Sequence, residues 1–176
     1  SYADKDYAAL DALNEILTAD PSGYLYKNLV DAKKVSAIWA WNPSLRDPGL
    51  MYFNFDVPKE KNLDEATKFV KAELDKISTI TYTDEDLKRA KSKLLKNIEN
   101  QKNNTIDFAI GLTEIIGAGN YKLAFLYRDN VEALTLADIN RVAQKYFKNN
   151  NRTIGIFRPS PNEERVMPQE FRDQAI

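Results

Sequence analysis

The sequence predicts an α+β domain with an antiparallel-rich sheet and helices packed on one of its faces. Residues 35–41 and 51–57 alternate in character with a period of two, which is typical of antiparallel strands with one packed face. Most of the remaining chain carries apolar residues at intervals of three and four, which indicates amphipathic helices. A chain of 176 residues is long enough for one such domain with a sizeable core.

Helices are predicted on both sides of the strand pair. The first covers residues 4–17 and has an apolar stripe of Tyr7, Leu10, Leu13, Ile16 and Leu17. The sequence Asp20-Pro21-Ser22-Gly23 ends it, and a short helix follows as far as Asp31. Further helices are predicted over residues 63–77, 83–98, 105–117, 121–134 and 135–147.

Two of these helices begin with a recognisable capping pattern. Thr83 is followed three residues later by Asp86, and Thr135 by Asp138. In each pair the hydroxyl can accept from the backbone of the aspartate while the carboxylate accepts from the backbone of the threonine. The pattern therefore predicts helix starts at both positions.

The two strands are predicted to form a hairpin, because the loop NPSLRDPG between them is rich in turn residues. The large aromatic residues of this hairpin, Trp39, Trp41, Phe53 and Phe55, are expected in the core. A last strand is predicted over residues 152–157. Together these elements make residues 1–159 one domain, and the proline-rich, charged residues 160–176 are interpreted as a linker or tail.

Composition excludes several classes of function. The net charge of -1 provides no basic field for nucleic acid, and no apolar run reaches the length of about 18 residues that a membrane span needs. The chain has no histidine and no cysteine, so it lacks the commonest general base, the commonest zinc ligand and any thiol nucleophile. The acidic run at residues 84–86 is explained by the start of a helix. We therefore expect no catalytic residue, no metal site and no cofactor in this chain.

Tyrosines and one arginine are the candidates for binding. Tyr24, Tyr26 and Tyr52 can each offer a ring to an apolar side chain and a hydroxyl to a peptide carbonyl. Arg46, in the hairpin loop, adds a cationic donor. The sequence predicts these four residues as a substrate-binding set, and ordinary packing or solvent exposure is the competing explanation for each of them.

The order of these segments resembles the non-catalytic domain of the pitrilysin/insulinase family of zinc metallopeptidases. The resemblance rests on DYAALDALNEIL, SGYLYKNLV and VSAIWAWNPSLRDPGLMYFNFDV in the first half, and on TDEDLKRAKSKLLKNIENQKNN in the middle. It continues through LTLADINRVAQKY and the closing NRTIGIF. It covers residues 4–159, and the ordered set is more specific than any single segment.

This resemblance implies a layered domain that helps to form the wall of a proteolytic chamber. In such proteases another domain carries the inverted motif His-x-x-Glu-His and binds zinc, and its glutamate activates the zinc-bound water. Zinc is thus expected in the catalytic domain of the parent protein. The expected partners are other domains of the same polypeptide or a homologous subunit, together with a peptide substrate.

The sequence departs from the family pattern in three ways. Strands usually precede the first helix in this family, whereas this chain begins at the helix, so N-terminal strands are expected to be missing. Tyr24 stands where related sequences often have arginine, which puts any role of that arginine in doubt. Arg46 and Tyr52 are only roughly similar to the substrate-gripping arginine–tyrosine pair of the family, so that role is not transferred to them.

The sequence thus predicts a structural and substrate-enclosing domain of a zinc-dependent endopeptidase, without catalytic residues of its own. Two alternatives remain: a non-enzymatic assembly domain of the same superfamily, and an unrelated α+β adaptor that binds proteins. The polar opening SYADKDYAAL is expected of a fragment or a mature form. The resemblance favours a periplasmic or otherwise exported protein.

Overall fold

A computed structural model describes residues 1–159 of the chain, and the predicted linker or tail at residues 160–176 lies outside them. The elements, in chain order, are α1 (Tyr7–Thr18), β1 (Ala37–Trp41), β2 (Tyr52–Asp56), α2 (Leu63–Lys76), α3 (Asp84–Lys102), α4 (Thr105–Gly117), α5 (Leu123–Ala133) and α6 (Leu136–Tyr146). Short helical turns lie at Tyr26–Asp31, Ile77–Thr79 and Asn149–Asn151. Among the helices described, none is long and apolar enough to cross a bilayer.

Helix α1 is the centre of the hydrophobic core. Its inner residues are almost completely buried: Tyr7, Ala8, Ala9, Ala12, Leu13, Ile16 and Leu17. The alanines leave little side chain between this helix and its neighbours, so α3, α5, α6 and β1 all contact it. The leucines fill the space between those neighbours, which makes α1 the element that joins the helices to the hairpin.

The two predicted capping boxes are confirmed. Asp86 N donates to Thr83 Oγ1 at 3.2 Å, and Thr83 N donates to Asp86 Oδ2 at 3.1 Å. Thr135 and Asp138 make the same pair of hydrogen bonds at 3.4 and 3.1 Å. These bonds satisfy backbone donors that the first turn of a helix leaves without partners. They set the starts of α3 and α6, which both supply buried side chains to the core.

The hairpin forms an antiparallel sheet of two strands, and helices pack against one of its faces. Ile38 lies opposite Phe55, and Ala40 lies opposite Phe53. These four residues are half-buried, and three of them, Ile38, Phe53 and Phe55, pack against the core. The predicted α+β fold with helices on one face is thereby confirmed.

The prediction that both tryptophans of β1 belong to the core is wrong. Trp39 is 50% exposed and Trp41 is 57% exposed. Successive side chains of a strand point to opposite faces, so Ile38 and Ala40 on the inner face require Trp39 and Trp41 on the outer one. The pairing with β2, which puts Phe53 and Phe55 inside, selected this register.

A close approach explains the glycine in the corner between α1 and the short helical turn. A Cβ atom at Gly23 would lie 2.6 Å from Ala19 N and 2.7 Å from Leu17 O. Any other residue at this position would collide with the backbone at the end of α1. Gly23 therefore allows Leu25 and Leu29, both completely buried, to reach the core from the following turns.

The last predicted strand, at residues 152–157, is also wrong. Within residues 1–159 this segment pairs with no strand, although Arg152 has extended backbone angles. It is held to α2 by Arg152, whose Nη2 lies 2.8 Å from Asp75 Oδ1, and by an ion pair between Arg158 and Asp64. A strand exists only where a neighbour accepts and donates its hydrogen bonds, and this segment makes no backbone-to-backbone hydrogen bond within residues 1–159.

Candidate functional site

The outer face of the hairpin carries an exposed aromatic surface. The rings of Trp41 and Tyr52 stack with centroids 5.8 Å apart and planes at 22°. Trp39 and Asn54 are neighbours across the two strands on this same face. We call Trp39, Trp41, Tyr52 and Asn54 the outer face. It presents flat rings, one phenol and one amide, which suits contact with an extended peptide or another protein surface.

Arg46 lies in the loop at the end of this hairpin and is exposed. Within the part of the chain that the structure describes, its guanidinium makes no salt bridge. Leu45 and Leu50 in the same loop are 48% and 66% exposed. The loop therefore adds a cation and two apolar side chains beyond the strands.

Tyr24 has a different environment from Tyr52. It is half-buried and packs against the core, and its burial, together with a hydrogen bond to Glu73 of α2, raises the pKa of the Tyr24 phenol. Glu73 also accepts a hydrogen bond from Asn28 Nδ2 at 3.0 Å. Tyr24 therefore links the corner after α1 to α2.

Tyr26 lies one turn further on and is also half-buried. Partial burial raises the pKa of the Tyr26 phenol, and the nearby carboxylate of Asp20 adds to that shift. Of the four predicted binding residues, the structure places Tyr52 within the aromatic outer face and Arg46 in the loop that joins its strands. Tyr24 and Tyr26 each have their own acidic neighbours instead.

A large open groove runs between β2, α2 and the extended segment 152–157. Its volume is about 1660 Å³. Its lining includes Phe53, Phe55 and Val57 from β2 and the residue after it, Val70 and Leu74 from α2, and Ile154, Ile156 and Phe157 from the segment 152–157. We call this space the β2 groove. Its walls are mainly apolar, and it carries no arrangement of nucleophile and base.

A buried polar cluster around Asp11 was not anticipated from the sequence. Tyr127 Oη donates to Asp11 Oδ2 at 2.7 Å, and Asn42 Nδ2 donates to Asp11 Oδ1 at 3.1 Å. Tyr7 Oη donates to the backbone carbonyl of Asn42 at 2.9 Å. Burial raises the pKa of Asp11 to about 6, although the bonds from Tyr127 and Asn42 act in the opposite direction. The cluster connects α1, α5 and the end of β1.

Asp6 shows the opposite electrostatic behaviour at the start of α1. It is 1% exposed and accepts from Arg141 Nη1 at 2.6 Å, Lys145 Nζ at 2.7 Å and Tyr146 Oη at 2.9 Å. Burial alone would raise its pKa, but the hydrogen bonds from Lys145, Arg141 and Tyr146 outweigh burial and lower the pKa to about 2. This ion cluster fastens α1 to α6, and its oxygens are fully engaged.

The residues of this chain do not fit a zinc ion. Residues 1–159 bring together no group of three or more metal-ligating side chains, and the whole sequence lacks histidine and cysteine. Asp6 is bonded to two cations and a phenol, and Asp11 is bonded to a phenol and an amide.

Known proteins with related sequence or structure share this architecture. A family model described as the peptidase M16 inactive domain matches residues 1–94. The solved inactive peptidase domain of a protein assigned as a zinc protease, from Bordetella parapertussis, superposes with a TM-score of 0.84 at 32% identity. That match covers 94% of this chain and 89% of the other. A second solved protein assigned as a zinc protease, from Bordetella pertussis, has a TM-score of 0.81 at 31% identity and covers 90% and 88%.

Longer relatives extend beyond this chain. The zinc protease PqqE of Helicobacter pylori is 28% identical over 166 residues, which is 90% of this chain and 36% of that protein. A solved protease from Helicobacter pylori has a TM-score of 0.76 at 25% identity and covers 86% of this chain and 37% of its own. The chain thus spans about a third of the length of these relatives. Since the family model matches 94 of its 176 residues, the chain belongs to the peptidase M16 family, as an inactive, non-catalytic domain.

Proposed function

We propose that this domain is a structural and substrate-enclosing part of a zinc-dependent endopeptidase and supplies no reacting group. The observation that carries the proposal is the match, at a TM-score of 0.84, to the inactive peptidase domain of a protein assigned as a zinc protease. The absence of histidine and cysteine supports it, because neither zinc coordination by imidazole nor a thiol nucleophile is available. An unrelated adaptor is excluded by the family match.

The outer face is the part of the domain that we assign to substrate. Trp41 and Tyr52 form a stacked pair that remains exposed, so an extended peptide can lay apolar side chains on the rings. The Tyr52 hydroxyl and the Asn54 amide can then bond to peptide groups. Arg46 can attract an acidic residue of the peptide. Tyr24 and Tyr26 remain predicted contacts for a peptide that reaches the corner after α1.

The catalytic zinc belongs, in this proposal, to another domain of the same polypeptide or to a homologous subunit. Helix α4 buries none of its side chains within the described domain. Several apolar residues of α4 and α5 are strongly exposed: Ile106, Phe108, Ile110, Ile116, Phe125 and Leu126. Exposed apolar side chains in this number are typical of a surface that contacts another protein or domain. This supports packing of α4 and α5 against the catalytic domain.

The assignment of the outer face is tested in the full-length protease. Replacing the stacked pair (Trp41→Ala with Tyr52→Ala) is expected to raise KM for a peptide substrate about tenfold, which corresponds to about 1.4 kcal/mol of lost binding, and to leave kcat within about twofold. Loss of uniform binding raises KM alone. Tyr121→Ala is the matched control, because Tyr121 is 51% exposed but lies just before α5. A fall in kcat of a hundredfold at unchanged KM would contradict the proposal.

Metal content separates the proposed function from the assembly alternative. The full-length protein is expected to hold one zinc per catalytic domain, and the isolated chain of 176 residues is expected to hold none by elemental analysis. A full-length protein that has no His-x-x-Glu-His motif and cleaves no peptide would assign the domain to assembly instead. Stoichiometric zinc in the isolated chain would overturn both.

A further inference from the structure

We propose that Asp11 positions the outer face by holding Asn42, and that ionisation of the Asp11 carboxyl loosens this hold. Asn42 directly follows Trp41, so the hold acts on the end of the hairpin that carries the stacked pair of Trp41 and Tyr52. The effect on peptide binding rests on the proposed function of the outer face. The hold itself rests only on the contacts around Asp11.

The loop end of the hairpin is fastened to α1 by polar groups. Asn42 Nδ2 donates to Asp11 Oδ1 at 3.1 Å, and the backbone carbonyl of Asn42 accepts from Tyr7 Oη at 2.9 Å. Trp41 is 57% exposed, so its ring has little packing of its own to fix its position. The place of Trp41 therefore depends on how firmly the residue after it is held.

Other contacts of the hairpin do not depend on Asp11. At the far end, Ser36 N and Ser36 Oγ donate to the backbone carbonyl of Asp56 at 2.7 and 3.0 Å, which joins the two strands to each other. On the inner face, the rings of Phe53 and Phe147 pack with centroids 5.9 Å apart. Release of Asn42 is therefore expected to free the end of β1 while β2 stays attached.

The groups that face Asp11 come from the residues before α1, from α1 itself, from the hairpin and from α5. They are three phenols, one amide and one carboxylate: Tyr2, Tyr7, Tyr127, Asn42 and Glu15. Glu15 is itself paired with Lys93 of α3 at 3.8 Å. No cation within residues 1–159 forms a salt bridge with Asp11. Burial therefore raises the pKa of Asp11 to about 6, against the hydrogen bonds from Tyr127 and Asn42.

Ionisation of Asp11 favours the loosened hairpin end, because the carboxyl has a different pKa in the two states. With Asn42 in place the pKa is about 6. When Asn42 moves away, water reaches the carboxyl and the pKa falls towards its ordinary value of 3.8. The held state is thus favoured at low pH, and this advantage is lost as the pH rises through 6. These two pKa values allow the ratio of loosened to held molecules to rise by up to about tenfold between pH 5 and pH 8.

Hydrogen exchange in the full-length protein tests the hold, with Asp11→Asn as the comparison. After correction for the intrinsic effect of pH on exchange, the amides that bond between β1 and β2 are expected to lose about three- to tenfold of their protection between pH 5 and pH 8, with a midpoint near 6. In Asp11→Asn, which cannot ionise at this position, their protection should stay constant. The 176 residues lack histidine, the side chain that ordinarily titrates near pH 6.

Helix α2 is the internal control, because its main contacts are with the short turns Tyr26–Asp31 and Ile77–Thr79. Its protection should not follow the titration of Asp11. An equal loss in α2 would show that Asp11 acts only on the stability of the whole domain, and would overturn the proposal. A constant protection of the hairpin in the wild type would overturn it too, as would a loss that persists in Asp11→Asn. The comparison of the hairpin with α2 in the wild type needs no substitution, so it decides even if the variant does not fold.

A kinetic measurement tests the consequence for binding. Asn42→Ala removes the bond to Asp11 and keeps the backbone carbonyl that accepts from Tyr7. In the full-length protease, this variant is expected to raise KM for a peptide substrate about threefold at unchanged kcat. Ser36→Ala is the matched control, because it removes a side-chain bond at the other end of the hairpin and should leave KM unchanged. An equal rise of KM in Ser36→Ala would contradict a specific role of Asn42.

Failure of this inference and failure of the proposed function give different results. If Trp41→Ala with Tyr52→Ala raises KM but exchange of the hairpin does not depend on pH, Asp11 does not control the outer face. If exchange follows Asp11 but neither this double variant nor Asn42→Ala changes KM, the substrate does not bind to the outer face.

Discussion

The two sides of helix α1 differ in how completely the chain closes them. On the helical side, α1, α5 and α6 bury Leu13, Val131 and Ile139 to 0% exposure, and α3 adds Leu87, Ala90 and Leu94 at less than 10%. On the hairpin side, neither strand has a fully buried residue, and α2 buries only Ala66. The inward-facing apolar side chains of the helical side are almost completely buried. Those of the hairpin side are equally apolar but only half-buried, because they line an open groove. The difference predicts that the helical side contributes more to the stability of the domain than the hairpin side does.

The largest expected effect comes from a cavity on the helical side. Leu13→Ala is expected to lower the free energy of unfolding by about 2–5 kcal/mol, since Leu13 is completely buried in α1. Phe55→Ala on the hairpin side removes more atoms but is expected to cost less, because Phe55 is only half-buried. Urea denaturation of both variants measures the comparison. Equal losses would show that the two sides are equally packed.

The Asp11 cluster, which links the two sides, predicts a pH dependence. The folded state raises the pKa of Asp11 from 3.8 to about 6, so its contribution to stability is complete below pH 4 and is lost as the pH rises through 6. The lost contribution amounts to at most about 3 kcal/mol. Asp11→Asn removes this titration, so the variant should gain stability relative to wild type between pH 4 and 7, measured by denaturation at each pH.

Asp6 is the control for this prediction, because its pKa is shifted in the opposite direction. Its folded pKa is lowered to about 2, so its contribution is present above pH 4 and is lost as the pH falls towards 2. The stability difference between wild type and Asp6→Asn should therefore shrink on acidification over that range. If the Asp11 and Asp6 variants followed the same pH trend, the proposed environments of these two acids would be wrong.

Helix caps allow a smaller comparison of the two sides. Thr135→Ala removes the cap of α6 and is expected to cost about 1 kcal/mol, because α6 buries Ile139, Val142 and Ala143. Asn62 caps α2 through its bonds to Asp64 N and Glu65 N at 2.9 and 3.1 Å. Asn62→Ala is expected to cost about 0.5 kcal/mol, since α2 can fray without opening the core. A larger loss at Asn62 would place α2 within the main cooperative unit.

The smallest effect is expected at the outer face. Trp41→Ala should change the free energy of unfolding by no more than about 0.5 kcal/mol, because Trp41 is 57% exposed. A tryptophan buried as the alternation of β1 first suggests would cost about 3–5 kcal/mol instead. Thermal or urea denaturation of this one variant shows whether Trp41 lies on the exposed face of the hairpin or on the buried one.

Local patterns predicted the helices well and the hairpin only in part. The boxes at Thr83 and Thr135 involve residues three apart, so the sequence contains both partners. The loop between the strands also predicted their pairing. The predicted strand at residues 152–157 was wrong, because no strand within residues 1–159 pairs with this segment. A two-residue period shows that a segment can be a strand, but it does not show that a partner is present.

The sequence predicted which chemical groups the candidate site could contain better than it predicted where those groups lie in the fold. The absence of imidazole and thiol groups excluded a zinc centre of the usual kind from composition alone. Tyr52 was predicted, but its stacking partner Trp41 was assigned to the core. Asp11 gave no signal, since its environment depends on Tyr127, which lies 116 residues away in the chain.

The amino-acid sequence by itself determined the helices, their caps, the hairpin and the absence of imidazole and thiol groups, because these depend on neighbours along the chain or on residue types. Only the tertiary structure decided which face of the hairpin meets the core, which aspartate has a raised pKa and which a lowered one, and where the groove lies. Those properties depend on contacts between distant segments, and a periodic pattern is equally compatible with either face of a strand until such a contact selects one.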